Sequence, residues 1–168
     1  MTNDLTIRPL TPGEEDLAWA MIEPVFRSGE TYAIDPAISK ADALAYWLAE
    51  RAYLAFDGGV PVGTFYIHRN RPGGGAHYCN CGFVTAPAAQ GRGVARAMLT
   101  HAMREAKSLG FDAMVFNFVV ASNARAVALW QSAGFEIVGR VPGAFRAGGQ
   151  DADALVMFRR LGDHAAPS

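Results

Sequence analysis

The chain has 168 residues, of which 51% are hydrophobic and 18% charged, a composition that suits one folded domain with a buried core and argues against disorder. Fifteen Lys and Arg against sixteen Asp and Glu give a net charge of -1, so no basic excess points to nucleic acid or an anionic membrane as partner. No apolar run reaches the roughly 18–20 residues of a membrane span, and the start MTNDLTIRPL has no signal-peptide pattern, so a cytoplasmic location is expected. The two cysteines, Cys79 and Cys81, sit one residue apart on one strand face, a poor geometry for a disulfide.

Alternation predicts a first strand over Leu5–Leu10. Thr11, Pro12 and Glu14 read as a capping box opening a helix to about Phe26, with Leu17, Met21 and Val25 as its stripe and Pro24 as a possible kink or break. Ser39 opens a second helix running to about Glu50. Ala52–Phe56 and Val60–His68 flank Asp57-Gly58-Gly59, a hairpin signal. Arg69–Gly75 reads as a mobile loop and His77–Thr85 as the next strand. A long helix follows over Gly93–Leu109, with Ala95, Met98, Ala102, Ala106 and Leu109 on its apolar side. Ala113–Val120 is a near-continuous apolar run, as in a buried parallel strand. Asn123–Ala133 is predicted helical, with Gly134 as its left-handed cap. Glu136–Val141 and Ala152–Phe158 are the last strands, separated by a Gly-rich loop, and residues 162–168 form a frayed tail. The order is that of an α/β domain with a mixed sheet, one domain over residues 1–161.

The stretch Phe83–Arg96 carries the most chemistry. A strand leads through Gly91-Arg92-Gly93 into a helix. The first amides of a helix lack internal acceptors and the macrodipole adds partial positive charge there, so such an end suits an anion. There is no P-loop and no complete dinucleotide fingerprint, so neither a nucleotide triphosphatase nor a dinucleotide fold is expected. A tight turn with glycines for packing is the alternative.

Gln90-x-x-Gly93-x-Ala95 after a strand resembles the acetyl-CoA signature of the GNAT acetyltransferase superfamily, and Asn123–Phe135 resembles its second conserved block. The resemblance implies a GNAT fold with a central sheet of about seven strands. It implies acetyl-CoA as cosubstrate, with its pantetheine arm along the backbone of Phe83, Val84 and Thr85 and its diphosphate on the amides of Gly91, Arg92, Gly93, Val94, Ala95 and Arg96. It places Asn123 and Trp130 against the coenzyme; Asn123 also suits a helix N-cap, and the two roles are compatible. Superfamily members often dimerise, which makes a homodimer the expectation.

Two departures stand out. Many members carry a glutamate base on the central strands, yet His77–Val84 contains no carboxylate; many carry a tyrosine acid where this chain has Trp130, whose indole N–H only donates. What the central strands hold is amides, Asn80 and Asn117, each either structural or facing a polar ligand. The motifs Cys79–Phe83 and Phe116–Asn123 resemble the fungal acetyltransferases of proline analogues such as azetidine-2-carboxylate. That resemblance implies substrate binding by Asn80, a place near the reaction centre for Asn117 and coenzyme contact for Asn123.

The expectation is therefore direct attack of a small amine on the thioester, with Asn80 and Asn117 as the catalytic amides. Glu30, Tyr32, Tyr78 and Arg146 are candidate substrate contacts, against readings as solvated loop or core residues. If Asn80 faces the cleft, Cys79 and Cys81 face away and are structural rather than acyl carriers. His77 is a possible base or a surface residue, and His68, His101 and His164 are too scattered for a metal, so none is expected. The alternatives to a small-amine enzyme are a non-catalytic acyl-CoA sensor and an acetyltransferase for a protein or antibiotic amine.

Overall fold

The structure, a computed structural model, describes residues 5–162, so His164 and the predicted tail beyond Gly162 lie outside the described residues. In chain order the elements are β1 (Leu5–Pro9), α1 (Glu15–Ser28), α2 (Lys40–Trp47), β2 (Arg51–Asp57), β3 (Val60–Arg69), β4 (Tyr78–Thr85), α3 (Val94–Ser108), β5 (Ala113–Val120), α4 (Ala124–Ser132), β6 (Glu136–Ala147) and β7 (Gln150–Arg160). The strands form a seven-stranded sheet in the order β1-β2-β3-β4-β5-β7-β6. It is mixed: β4 and β5 run parallel at Tyr78↔Ala113 and Cys79↔Met114, while β1–β2, β2–β3, β5–β7 and β6–β7 are antiparallel.

The first helix departs from its predicted form in three ways. It begins at Glu15, because Gly13 takes φ 96° and a helix cannot contain that angle. The back-reach survives inside the preceding turn: the Thr11 N–H donates to Glu14 Oε2 at 2.9 Å, and Arg8 pairs with the same carboxylate. Pro24 lies within α1 without splitting it. An interior proline removes one donor, and the buried stripe Ala18, Met21, Ile22 and Phe26 packs the helix on both sides of it. That stripe is one position from the predicted one, and Leu17 is exposed.

The second helix has the predicted cap, the Ser39 hydroxyl accepting from the Asp42 N–H, but ends at Trp47. The Trp47 indole is anchored there, donating to Thr64 Oγ1 at 3.0 Å in the core, and the chain turns into β2. The β2–β3 hairpin closes through Gly58 and Gly59 at φ 56° and 84°, the two positive angles that a type I′ turn requires. Between β3 and β4, the predicted mobile loop contains a short 3-10 turn at Gly73–Gly75. The Gly-rich loop expected after Val141 is instead a second tight hairpin, turning at Gly148-Gly149. Register shifts in β6 at Ile137/Gly139 and Val141/Phe145 absorb Pro142 and Gly143, so β6 continues to Ala147.

Packing divides the described residues into two compact units, those up to His68 with Cys81–Ala102, and Arg69–Asn80 with those from Met103 onward. In the first, α1 and α2 bury Ile22, Phe26 and Trp47 against Leu54, Tyr66 and Val84. On another set of contacts Tyr53 stacks on Phe65 at 4.7 Å, and Phe65 stacks on Phe83. In the second, Phe116 of β5 stacks on Phe135 at 4.5 Å and meets Trp130 of α4 at 4.9 Å. Among the described residues no helix is long and apolar enough to cross a membrane.

Candidate active site

The first unit contains the stretch Phe83–Arg96. After Thr85 the chain makes a 3-10 turn over Pro87–Ala89, then passes through Gly91 at φ 75° and Gly93 at φ 80° into α3. A residue with a Cβ held in the left-handed region costs roughly 1–2 kcal/mol. A Cβ on Gly91 would meet nothing within 4 Å, so the backbone angle, not crowding, demands glycine there. The Gly93 carbonyl accepts from the Ala97 N–H at 3.0 Å, which makes Gly93 the cap and Val94, Ala95 and Arg96 the first turn. That turn has no acidic side chain to offset the macrodipole. Arg92 pairs with Asp57 at the end of β2 and ties the turn to the β2–β3 hairpin. An open, glycine-built helix start with no acidic side chain in its own first turn fits a diphosphate.

Upstream, the Phe83 carbonyl accepts from the Tyr32 hydroxyl at 3.1 Å. Tyr32 is a candidate substrate contact by sequence, but its ring packs against Phe26 and Trp47 at 5.4 and 6.1 Å. Burial pushes its phenol pKa well above the ordinary value, and the bond to Phe83 partly opposes that shift. Tyr32 therefore ties the loop to β4, whereas Glu30 is exposed, its N–H donating to Ser28 Oγ.

Sequence reasoning missed the neighbours of this tie. Thr64, Tyr66 and His68 alternate along β3, three polar-capable side chains in an apolar strand, and that pattern was the available signal. Thr64 bridges the Trp47 indole and the Tyr53 carbonyl. The Tyr66 and Tyr46 hydroxyls lie 2.9 Å apart. His68 stacks on Tyr66 at 4.1 Å, and its buried Nε2 has no hydrogen-bond partner among the described residues. Desolvation draws the His68 pKa below its ordinary value, opposed by the Glu50 charge and the Trp47 backbone.

The second unit holds the amides. Asn80 Nδ2 donates to the Val115 carbonyl at 2.8 Å, and Asn117 Nδ2 donates to Asn70 Oδ1 at 2.7 Å. Both residues are half-buried. Asn117 lies where the β5–β7 register shifts, between Phe116 and Val119. Asn123 caps α4, its Oδ1 accepting from the Ala126 N–H at 3.4 Å, and Trp130 packs against Phe116. Tyr78 meets His77 and Phe158 and, with Asp112 and Arg160, lines a cleft of about 300 Å³. Arg146 is on β6 rather than in a loop, and Asp151 takes its guanidinium through two bonds of 2.5 and 3.1 Å. Cys79 and Cys81 are buried thiols outside any disulfide, alternating with half-buried Tyr78 and Asn80. Among the described residues no group of three His, Cys, Asp or Glu side chains is placed to hold a metal.

A mixed seven-stranded sheet whose fourth strand feeds a glycine-built helix start is the architecture of the GNAT fold. The chain belongs to the Acetyltransferase (GNAT) family, whose model matches residues 18–135. It is 34% identical over 90 residues to the N-acetyltransferase aca1 of Schizosaccharomyces pombe; that match covers 54% of this chain and 43% of the yeast protein's length. Among solved structures, a GCN5-related N-acetyltransferase from Kribbella flavida superposes with a TM-score of 0.88 at 36% identity, over 93% of this chain and 97% of its own. The yncA protein of Salmonella typhimurium, solved with its cofactor acetyl-CoA, superposes with a TM-score of 0.86 at 23% identity over 99% of each chain.

Proposed function

We propose that this acetyltransferase moves the acetyl group of acetyl-CoA directly to the amine of a small molecule, a proline-like secondary amine or another amino acid. The observation that carries the reading is the start of α3, where Gly91 and Gly93 adopt left-handed angles and no acidic side chain stands in the first turn. The amides from Gly91 to Arg96 would hold the diphosphate, the backbone of Phe83, Val84 and Thr85 the pantetheine arm, and Asn123 and Trp130 further parts of the coenzyme. Bound there, acetyl-CoA supplies an activated thioester.

The chain's own work is then alignment and proton management. Proximity and orientation can supply about 7–11 kcal/mol of the barrier in favourable cases. Asn80 and Asn117 are assigned to the acceptor and the thioester carbonyl, with Tyr78, Glu30, Tyr32 and Arg146 as outer contacts. Direct transfer is favoured over an acyl-enzyme because Cys79 and Cys81 are 0% and 6% exposed. The proline-analogue class rests on the Cys79–Phe83 and Phe116–Asn123 motifs. The working unit is one domain over residues 1–161, paired as a homodimer; Ile137, Val138 and Val141 are exposed apolar residues on β6, the last strand of the sheet.

Calorimetry with acetyl-CoA, followed by thiol release across a panel of primary and secondary amines, tests the reading. Binding together with azetidine-2-carboxylate or proline-analogue turnover is the expected outcome. A second reading, an acyl-CoA sensor, is favoured by the absence of a carboxylate from Tyr78–Thr85 and by Trp130 in the place of a tyrosine. Tight binding with no amine-stimulated thiol release would select it.

A further inference from the structure

Transfer to an amine releases a proton, and β4 carries no carboxylate to take it. Resting on the function proposed above, we infer that the Tyr66 and Tyr46 hydroxyls form the path by which the acceptor's proton leaves the face of β4 for solvent.

Two contacts build the path and two more hold it. A Cβ on Gly82 would lie 2.5 Å from Tyr66 Cε1 and 2.8 Å from its Cζ, so the phenol end of Tyr66 rests on the β4 backbone beside Phe83. Gly82 is not among the glycines at positive φ, which leaves the close approach of that ring as the reason for glycine. The Tyr66 hydroxyl is 2.9 Å from the Tyr46 hydroxyl. Tyr46, on α2, is 42% exposed, while Tyr66 is 3% exposed, so the pair joins the buried strand face to water. His68 stacks on the Tyr66 ring with 20° between planes, and Trp47 meets its edge at 4.9 Å, so the ring is clamped.

Burial drives the Tyr66 pKa far above its ordinary value, so the phenol stays protonated. Such a group cannot store a charge, but it can accept one proton while giving up its own. The amine nitrogen bonds to the acetyl carbonyl carbon as the carbon–sulfur bond breaks, the electron pair leaving on the coenzyme A sulfur. The nitrogen's proton passes to the Tyr66 oxygen, the Tyr66 proton to the Tyr46 oxygen, and the Tyr46 proton to water. The sulfur takes a proton from solvent, and the products are an amide and a thiol.

The test uses Tyr66→Phe, Tyr46→Phe and the double variant of the whole chain. Melting temperatures come first: a shared hydroxyl bond makes the double variant melt no lower than the worse single one. Single-turnover rates are expected to fall about 10²-fold in either single variant and no further in the double, with acetyl-CoA affinity by calorimetry unchanged. The solvent deuterium isotope effect on that rate should change in both, which loss of packing alone would not produce. Unchanged rates, or losses that multiply in the double variant, would overturn the path. If Tyr66→Phe does not fold, the exposed Tyr46→Phe decides alone. A wild-type protein that binds no acetyl-CoA, or binds it without amine-dependent thiol release, overturns the proposed function and the path with it, a result distinct from active but relay-independent enzyme.

Discussion

Gly82 and Tyr66 approach so closely that a single methyl group on the glycine would sit 2.5 Å from the tyrosine ring. The Tyr32 hydroxyl would be 3.0 Å from the same methyl, so two tyrosines from different segments converge on one backbone position. Overpacking of this kind costs typically about 1–3 kcal/mol. Gly82→Ala should therefore lower the urea midpoint, and Gly82→Ala combined with Tyr66→Leu should recover part of the loss. A Gly82→Ala protein as stable as wild type would show that the rings yield freely.

The α3 start separates backbone strain from crowding. Gly91→Ala places a methyl in open space but at φ 75°, so its stability loss should stay near 1–2 kcal/mol. If the diphosphate rests on these amides, acetyl-CoA affinity should fall by more than that loss implies when the turn relaxes. Calorimetric affinities equal to wild type in Gly91→Ala and Gly93→Ala would remove the turn from coenzyme binding.

The two strand amides make a paired prediction. Asn117→Ala removes the bond to Asn70 and Asn80→Ala the bond to Val115, each worth about 1 kcal/mol of stability. Both variants should remain folded by circular dichroism and lose turnover. Asn70→Ala should lose turnover partially, since it frees Asn117 without removing it. Wild-type rates in a folded Asn80 or Asn117 variant would exclude that residue from the mechanism.

Acid should loosen the junction of β1 and α1. The Arg8 guanidinium, together with the Thr11 N–H, lowers the Glu14 pKa from 4.5 to about 2. A carboxylate with a depressed folded-state pKa stabilises above its unfolded value, and that contribution disappears as pH falls through the folded value. The stability difference between wild type and Glu14→Gln should be constant above pH 4.5 and shrink toward pH 2. A difference that did not change over that interval would mean that the ion pair adds nothing to stability.

Much of the fold was legible because its elements carry local signals. Ala113–Val120 was bounded to the residue by its apolar run, the turns at Gly58-Gly59 and Gly134 by glycine, and the caps at Ser39 and Asn123 by their side chains. The helix start at Gly91–Gly93 was legible for the same reason, since a left-handed angle can be met cheaply only by glycine. Asn80, Asn117 and Tyr32 were also visible as residue types out of place in apolar or loop surroundings.

Their partners were not visible. Nothing local joins Asn117 to Asn70, Asn80 to Val115 or Tyr32 to Phe83, which are 47, 35 and 51 residues apart. The helix stripe of α1 and the length of β6 were set by packing and by register shifts, which a periodicity count does not contain. The sequence by itself determined the family of acetyltransferases, the order of elements and the glycine-built helix start. Only the tertiary structure decided that Tyr46, Tyr66 and Gly82 meet, because a side chain's hydrogen-bond partner depends on which strands and helices pack together, and that choice is made by the whole buried core.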